Sequence, residues 1–111
     1  MPEFLLMPKN YYKPIWRQKL DELIKLAGNR RHLSLMLTSV IHTHNPERKL
    51  GPDWITGWHA RGKISPLGAL LVEMHPELNL HFTKEELRPD INIFQWHDYN
   101  IALKHKFLTP K

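Results

Sequence analysis

Apolar residues recur at spacings of three and four in separate stretches of this 111-residue chain, and this repeat constrains the fold more than any other feature. Such spacing places the apolar side chains on one face of an α-helix, which a folded protein buries. The predicted inner faces of four successive helices are Trp16, Leu20, Leu23, Ile24 and Ala27; Leu33, Met36, Leu37 and Val40; Ile55 and Trp58; and Leu67, Leu70, Leu71 and Met74. The sequence therefore predicts a compact all-α domain of four or five short helices.

Residues that typically start or stop helices lie at the ends of these stretches. Pro14 is tolerated in the first turn of the first helix, and Gly28 is a suitable stop at its end. Asn29 is placed to cap the second helix through its side chain. Thr83 and Glu86 have the spacing of a capping box, which predicts a short fifth helix.

The two ends of the chain differ in character from its middle. Residues 1–13 contain prolines and no helical repeat, so we expect an arm, followed by the folded domain in residues 14–91. Residues 92–111 are too apolar for a free linker. They are predicted either to complete the core or to form a dimer interface, with Trp96 as a candidate anchor. Residues 91–93 alternate as in a β-strand.

Composition excludes several classes of protein. The chain contains no cysteine, so disulfides and thiolate zinc sites are excluded. No apolar run approaches the ~20 residues needed to cross a bilayer, and the first residues lack the basic leader of a secretory signal. We therefore expect a cytoplasmic protein of one domain with no membrane partner.

Charge is distributed unevenly along the chain, which has a net charge of +5. Residues 28–63 contain six basic and two acidic residues, whereas residues 64–90 contain two basic and five acidic residues. A basic segment followed by an acidic one creates a directional field. This asymmetry favours a polyanionic partner on one side of the molecule.

No pattern of residues indicates catalysis or a bound metal. His42 and His44 are close in sequence, but a structural zinc site needs four ligands and only Glu47 is nearby. The side chains of the neighbours His97 and Asp98 do not point at one another, and no phosphate-binding glycine loop is present. We expect no enzymatic activity, no cofactor, no metal and no small-molecule substrate.

The second and third predicted helices have the order of a helix-turn-helix unit. In such a unit the third helix enters the major groove of DNA, and the start of the preceding helix holds a phosphate. Arg30 and Arg31 stand at that start. Trp58 is predicted to lie in the core, while Trp54 and Trp96 fit either a surface that stacks on bases or a packed interface.

Three stretches within residues 20–91 resemble YdaS-like proteins, a Cro/repressor-type branch of helix-turn-helix proteins. Residues 28–37 (GNRRHLSLML) are similar to the second-helix pattern G-x-Q-x-A-L-A-x-x-L. Residues 53–65 (DWITGWHARGKIS) are similar to the recognition-helix pattern x-x-[VI]-x-x-W-x-x-R-G-x-[VI]-[PS]. The most specific match is that of residues 82–91 (FTKEELRPDI) to the ending [VI]-T-x-E-E-L-R-P-D-[VI].

The resemblance implies a lambda-repressor-like fold and a phage or prophage transcriptional regulator, a repressor that binds double-stranded DNA. In the family's pattern Arg30 occupies a phosphate-contacting position, and Arg61 and Lys63 occupy the basic exit of the recognition helix. The full set of predicted DNA-binding residues is Arg30, Arg31, Arg48, Lys49, Asp53, Trp54, Thr56, Gly57, Arg61 and Lys63. We expect a homodimer, because a two-fold protein matches a palindromic operator.

Two departures from the family pattern leave other functions open. Gly57 has no side chain with which to read a base, and Leu37 and Ile55 are eighteen positions apart, so the turn carries an insertion. Arg48 and Lys49 make this insertion basic, which favours an added DNA contact over obstruction of the usual docking. The alternative is an interaction protein, such as an antitoxin-like partner or an inhibitor of a host factor, that does not read DNA. A toxin on the same scaffold is a further alternative.

Overall fold

Residues 13–48 and 50–109 are described by the computed structural model, and they form six α-helices with no β-strand among them. The helices are α1 (Lys13–Ala27), α2 (Arg30–His42), α3 (Pro52–Arg61), α4 (Pro66–Met74), α5 (Lys84–Leu87) and α6 (Ile93–Leu103). A 3-10 turn at Leu78–Leu80 lies between α4 and α5, and a π-helical turn at Lys104–Leu108 continues α6. The predicted all-α class is confirmed. The predicted arm lies outside the described residues except for Lys13, which begins α1. No helix in the described ranges is long and apolar enough to cross a membrane.

Local capping determines where several helices begin or end. The Asn29 side chain accepts a hydrogen bond from the backbone N–H of His32 at 2.8 Å, which starts α2. The Thr83 hydroxyl accepts one from the backbone N–H of Glu86 at 3.2 Å, which starts α5. Gly62 ends α3 with φ = 76°, a left-handed conformation that costs glycine little. These are the bounds that the sequence predicts for these elements.

Trp58 lies at the centre of the core, as predicted, with 1 % of its surface exposed. A Cβ placed on Gly68 of α4 would lie 2.5 Å from the Trp58 ring, so only glycine allows α4 to approach the ring this closely. Other fully buried side chains from α1 to α4 complete this core: Leu20, Leu23, Leu33, Leu37, Ile41, Ile55 and Leu71. The helical repeat in the sequence therefore identifies most of the buried faces.

Helix α6 is the element that the sequence did not predict. Its start is a capping box, in which the Asn92 side chain accepts from the Gln95 backbone N–H and the Gln95 side chain accepts from the Asn92 backbone N–H, both at 2.9 Å. The strand-like alternation at residues 91–93 is misleading, because it extends over only three residues. The capping box provides hydrogen bonds for backbone N–H groups at the start of a helix.

One face of α6 and the turn that follows it belong to the core. Trp96 and Phe107 are 4 % and 1 % exposed, and α6 packs along α4 while the π-helical turn contacts α2. The expectation that Trp96 anchors a dimer is therefore wrong, because packing within the chain already covers its ring. Phe94 and Ile101 on the opposite face of α6 are exposed, and so is Ile93 at the start of the helix.

A buried arginine connects the end of α5 to α1. Arg88 donates two hydrogen bonds to the Asp90 carboxylate, at 2.9 and 2.8 Å, and one to the carbonyl of Ile64 at 2.9 Å. Trp16 of α1 donates its indole N–H to the same carboxylate at 3.2 Å. Burial acts to raise the pKa of Asp90, but the hydrogen bonds and charge of Arg88 outweigh it, so this pKa lies below its ordinary value.

Candidate nucleic-acid interface

Two arginines stand in the first turn of α2. Arg30 and Arg31 are both exposed, and this turn contains no acidic residue. A hydrogen bond between the Nδ1 atom of His32 and the carbonyl of Ala27 holds the turn against the end of α1. The free backbone N–H groups and the dipole at a helix start favour an anion there. The start of α2 therefore has the chemistry of a phosphate contact.

The outer face of α3 carries several of the side chains that the sequence predicted to meet base edges. Asp53, Thr56 and Arg61 are exposed, and Gly57 lies between them in a half-buried position. A Cβ on Gly57 would lie 3.2 Å from the Nη1 atom of Arg61. The missing side chain thus leaves room for the Arg61 guanidinium to lie back along the helix. Gly57 itself has no side chain with which to contact a base.

The insertion between α2 and α3 is folded against α2. The Thr38 hydroxyl of α2 accepts a hydrogen bond from the backbone N–H of Leu50 at 3.0 Å and donates one to the Leu50 carbonyl at 3.2 Å. Leu50 is 2 % exposed, and Asn45 is also buried. These contacts fix both ends of the stretch that carries Arg48, while the predicted contact residue Lys49 lies outside the described residues.

The C-terminal turn meets the insertion in a group that we call the aromatic–cation cluster, formed by Arg48, Trp54, Lys106 and Phe107. The Trp54 and Phe107 rings meet edge to face with their centres 5.1 Å apart. Lys106 Nζ lies 4.9 Å from the Trp54 ring centre and 5.6 Å from that of Phe107, and the Arg48 guanidinium lies 5.2 Å from the Phe107 ring centre. The cluster therefore brings two cations to the first turn of α3.

This cluster changes the interpretation of two residues. Trp54 was predicted to meet DNA, but its ring is half-buried between Phe107 and Lys106. Lys106 is not among the residues that the sequence predicts for this surface, because the local sequence does not show where the C-terminal segment packs. The positions of Phe107 and Trp54 relative to each other depend on packing between residues more than fifty positions apart.

Lys63 is also engaged within the chain. Its Nζ atom lies 4.9 Å from the centre of the Trp16 ring, and the Arg88 guanidinium lies 5.5 Å from the same ring. Lys63 is half-buried there. Its position beyond the end of α3 therefore serves packing against α1, and its charge is less available to DNA than that of Arg61.

Ion pairs are concentrated on the acidic part of the molecule. Lys84 pairs with Glu73 at 3.2 Å and with Glu85 at 3.1 Å, and Lys19 pairs with Glu86 at 3.7 Å. Burial acts to lower the pKa of Lys84, but its bonds to the two glutamates outweigh this and hold the pKa above its ordinary value. The charges of α4 and α5 are thus largely compensated within the chain.

The arginines of the predicted interface have no such compensation. Within residues 13–48 and 50–109, no carboxylate forms an ion pair with Arg30, Arg31, Arg48 or Arg61. The described part of the chain also brings together no group of three or more histidine, aspartate or glutamate side chains suited to a metal ion. These arginines therefore give this surface exposed positive charge that no carboxylate of the described residues pairs.

Comparison with protein-family models, with curated proteins and with solved structures finds no significant match to this chain. The resemblance of residues 20–91 to YdaS-like proteins therefore stays a prediction from their motifs.

Proposed function

We propose that this chain is a transcriptional regulator that binds double-stranded DNA through α2 and α3. The observation that carries the proposal is the distribution of charge. Exposed arginines at the start of α2, in the insertion and on α3 have no carboxylate partner among the described residues, whereas the glutamates of α4 and α5 are paired. Such a surface binds a polyanion by neutralising phosphates and releasing their condensed counterions.

Each part of the surface has a distinct role in the proposed complex. Helix α3 lies in the major groove, where Arg61 can donate two hydrogen bonds to a guanine edge. Asp53 and Thr56 are further outward side chains that can contact bases. Arg30 and Arg31 hold phosphates and set the orientation of the domain. We assign no direct DNA contact to Trp54 or Lys63, because both side chains are half-buried against other parts of the chain.

The resemblance to YdaS-like proteins supports the same proposal and adds repression and a phage or prophage origin. A single short recognition helix makes few base contacts, so we propose that the protein acts as a homodimer on two half-sites. Phe94 and Ile101 on the outer face of α6 supply exposed apolar surface for that association.

Selection of bound duplexes from a random-sequence pool tests this function. We expect enrichment of an inverted repeat whose half-sites lie about one helical turn, 10–10.5 base pairs, apart. Arg61→Ala is expected to relax the preference at one position in each half-site, while Lys25→Ala on α1 keeps it. A folded protein that enriches no sequence contradicts the proposal.

A second candidate function is an interaction protein that does not read DNA. Two observations favour it: Trp54 is packed against Phe107, and Gly57 offers no side chain, so few groups on α3 remain to read bases. For this function we expect the same selection to enrich no sequence. In a separate binding assay we expect the exposed face of α6 to retain a partner protein.

A further inference from the structure

The aromatic–cation cluster holds a cation from the C-terminal turn and a cation from the insertion against the same aromatic ring. Arg48 and Lys106 lie 5.2 and 5.6 Å from the centre of the same Phe107 ring. Neither forms an ion pair with a carboxylate of the described residues. Both side chains are exposed, unlike the half-buried Lys63, and two exposed cations held against one ring concentrate positive charge that attracts an anion.

Both cations are carried by backbone that the core holds in place. Phe107 is 1 % exposed, which fixes the turn that carries Lys106. Leu50 is 2 % exposed and is hydrogen-bonded to Thr38, which fixes the insertion close to Arg48. The Trp54 ring, 4.9 Å from Lys106 Nζ, positions that ammonium at the first turn of α3. A site ordered before the ligand arrives loses less entropy on binding.

We propose that Arg48 and Lys106 form a second phosphate site, which binds the DNA backbone beside the segment that α3 contacts. This inference rests on the proposed function and adds Lys106 of the C-terminal turn to the binding surface. Its ligand is the phosphodiester group, which both side chains recognise by charge and hydrogen bonding. The site therefore adds affinity for any duplex and carries no sequence information.

The site is tested by titrating a random-sequence duplex at several salt concentrations. We expect Lys106→Gln to weaken binding several-fold and to reduce the slope of log affinity against log salt by about 0.9, the value for one phosphate contact. Arg48→Gln is expected to do the same. Lys106→Arg keeps the charge and is expected to keep affinity and slope. Lys104→Gln, at an exposed lysine of the same turn, is the matched control and is expected to leave both unchanged.

The outcomes separate this inference from the proposed function. If the wild-type chain binds the duplex and Lys106→Gln binds it with the same affinity and slope, the second phosphate site is wrong and the proposed function stands. If the wild-type chain does not bind the duplex, the proposed function fails and the site fails with it. If Lys106→Arg loses as much affinity as Lys106→Gln, the loss comes from disturbed packing and overturns the site. Circular dichroism of each variant shows whether the fold is kept.

Discussion

Trp54 and Gly57 show how the role of a residue depends on neighbours that are distant in the sequence. The motif predicts both on a recognition helix, and from the sequence both are candidates to face DNA. The tail covers the Trp54 ring, and Arg61 occupies the space beside Gly57. The sequence predicts which helix carries the candidate site. It could not predict which of these side chains is free, because the tail's position depends on long-range packing.

The ion pair between Asp90 and Arg88 gives a prediction for a single residue. Asp90→Asn removes the negative charge that balances the buried Arg88, whose exposed fraction is 7 %. Because a buried charge without its partner is unfavourable, we expect a loss of about 2 kcal/mol in the free energy of unfolding at pH 7. Because the pKa of Asp90 is lowered in the folded state, its charge stabilises the fold above the unfolded pKa of about 3.9. This contribution disappears as pH falls through the lower folded value.

Urea unfolding at pH 7 and at about pH 2.5 checks the prediction. The difference between Asp90→Asn and the wild-type chain should shrink at the lower pH. Asp98→Asn, an exposed aspartate of α6, is the control and should differ little from the wild-type chain at either pH. An equal loss at both values would show that the Asp90 charge does not act as described.

Helix α2 was predictable because a cap and an apolar repeat coincide there, whereas the four-residue helix α5 was predictable from its capping box alone. Helix α6 was missed although Asn92 and Gln95 have the spacing of a cap, because its apolar residues lie on two opposite faces and give no clear repeat. The fold of the insertion was not predictable, because it depends on bonds between Thr38 and Leu50, twelve positions apart.

Those bonds give a prediction for the insertion. Thr38→Val keeps the shape of the side chain and removes both hydrogen bonds to Leu50. We expect a loss of about 1–3 kcal/mol in the free energy of unfolding, since the Leu50 backbone N–H is left without that acceptor in a buried place. We also expect weaker DNA binding, because the backbone that carries Arg48 is released. Urea unfolding and duplex titration measure the two effects.

Ser39→Ala is the matched control for Thr38→Val. Its hydroxyl bonds only to the Met36 carbonyl in the neighbouring turn of α2, and it is exposed. Equal stability of the Thr38 and Ser39 variants would mean that the insertion is not held through Thr38.

At the scale of the whole molecule, the C-terminal segment, residues 92–109, has one face in the core and one face exposed. The sequence left open whether residues 92–111 complete the core or form a dimer interface, and α6 has surface for both roles. Trp96, Leu103 and Phe107 are buried, so truncation after Ile91 would remove core side chains and could not test association alone. Point variants on the outer face of α6 avoid this problem.

Phe94→Glu is such a variant. Phe94 is 80 % exposed, so the change spares the core, but it places a charge on the apolar surface proposed for the second copy. We expect the wild-type chain to dimerise with rising concentration and Phe94→Glu to stay monomeric, as measured by light scattering. Leu80→Glu, at a leucine 77 % exposed in the 3-10 turn, is expected to dimerise like the wild-type chain. A wild-type monomer up to about 1 mM, or an unchanged mass for Phe94→Glu, would remove α6 as the interface.

The proposed binding of DNA by the exposed arginines of α2 and α3 is tested by the salt dependence of duplex binding. Affinity should fall steeply with salt, and Arg30→Ala combined with Arg31→Ala should weaken binding to all sequences alike. That double variant should reduce the slope of log affinity against log salt by about 0.9 for each phosphate that is no longer neutralised. Lys25→Ala combined with Lys104→Ala removes the same charge elsewhere and should change the slope little. Unchanged affinity and slope in the arginine variant would contradict the claim.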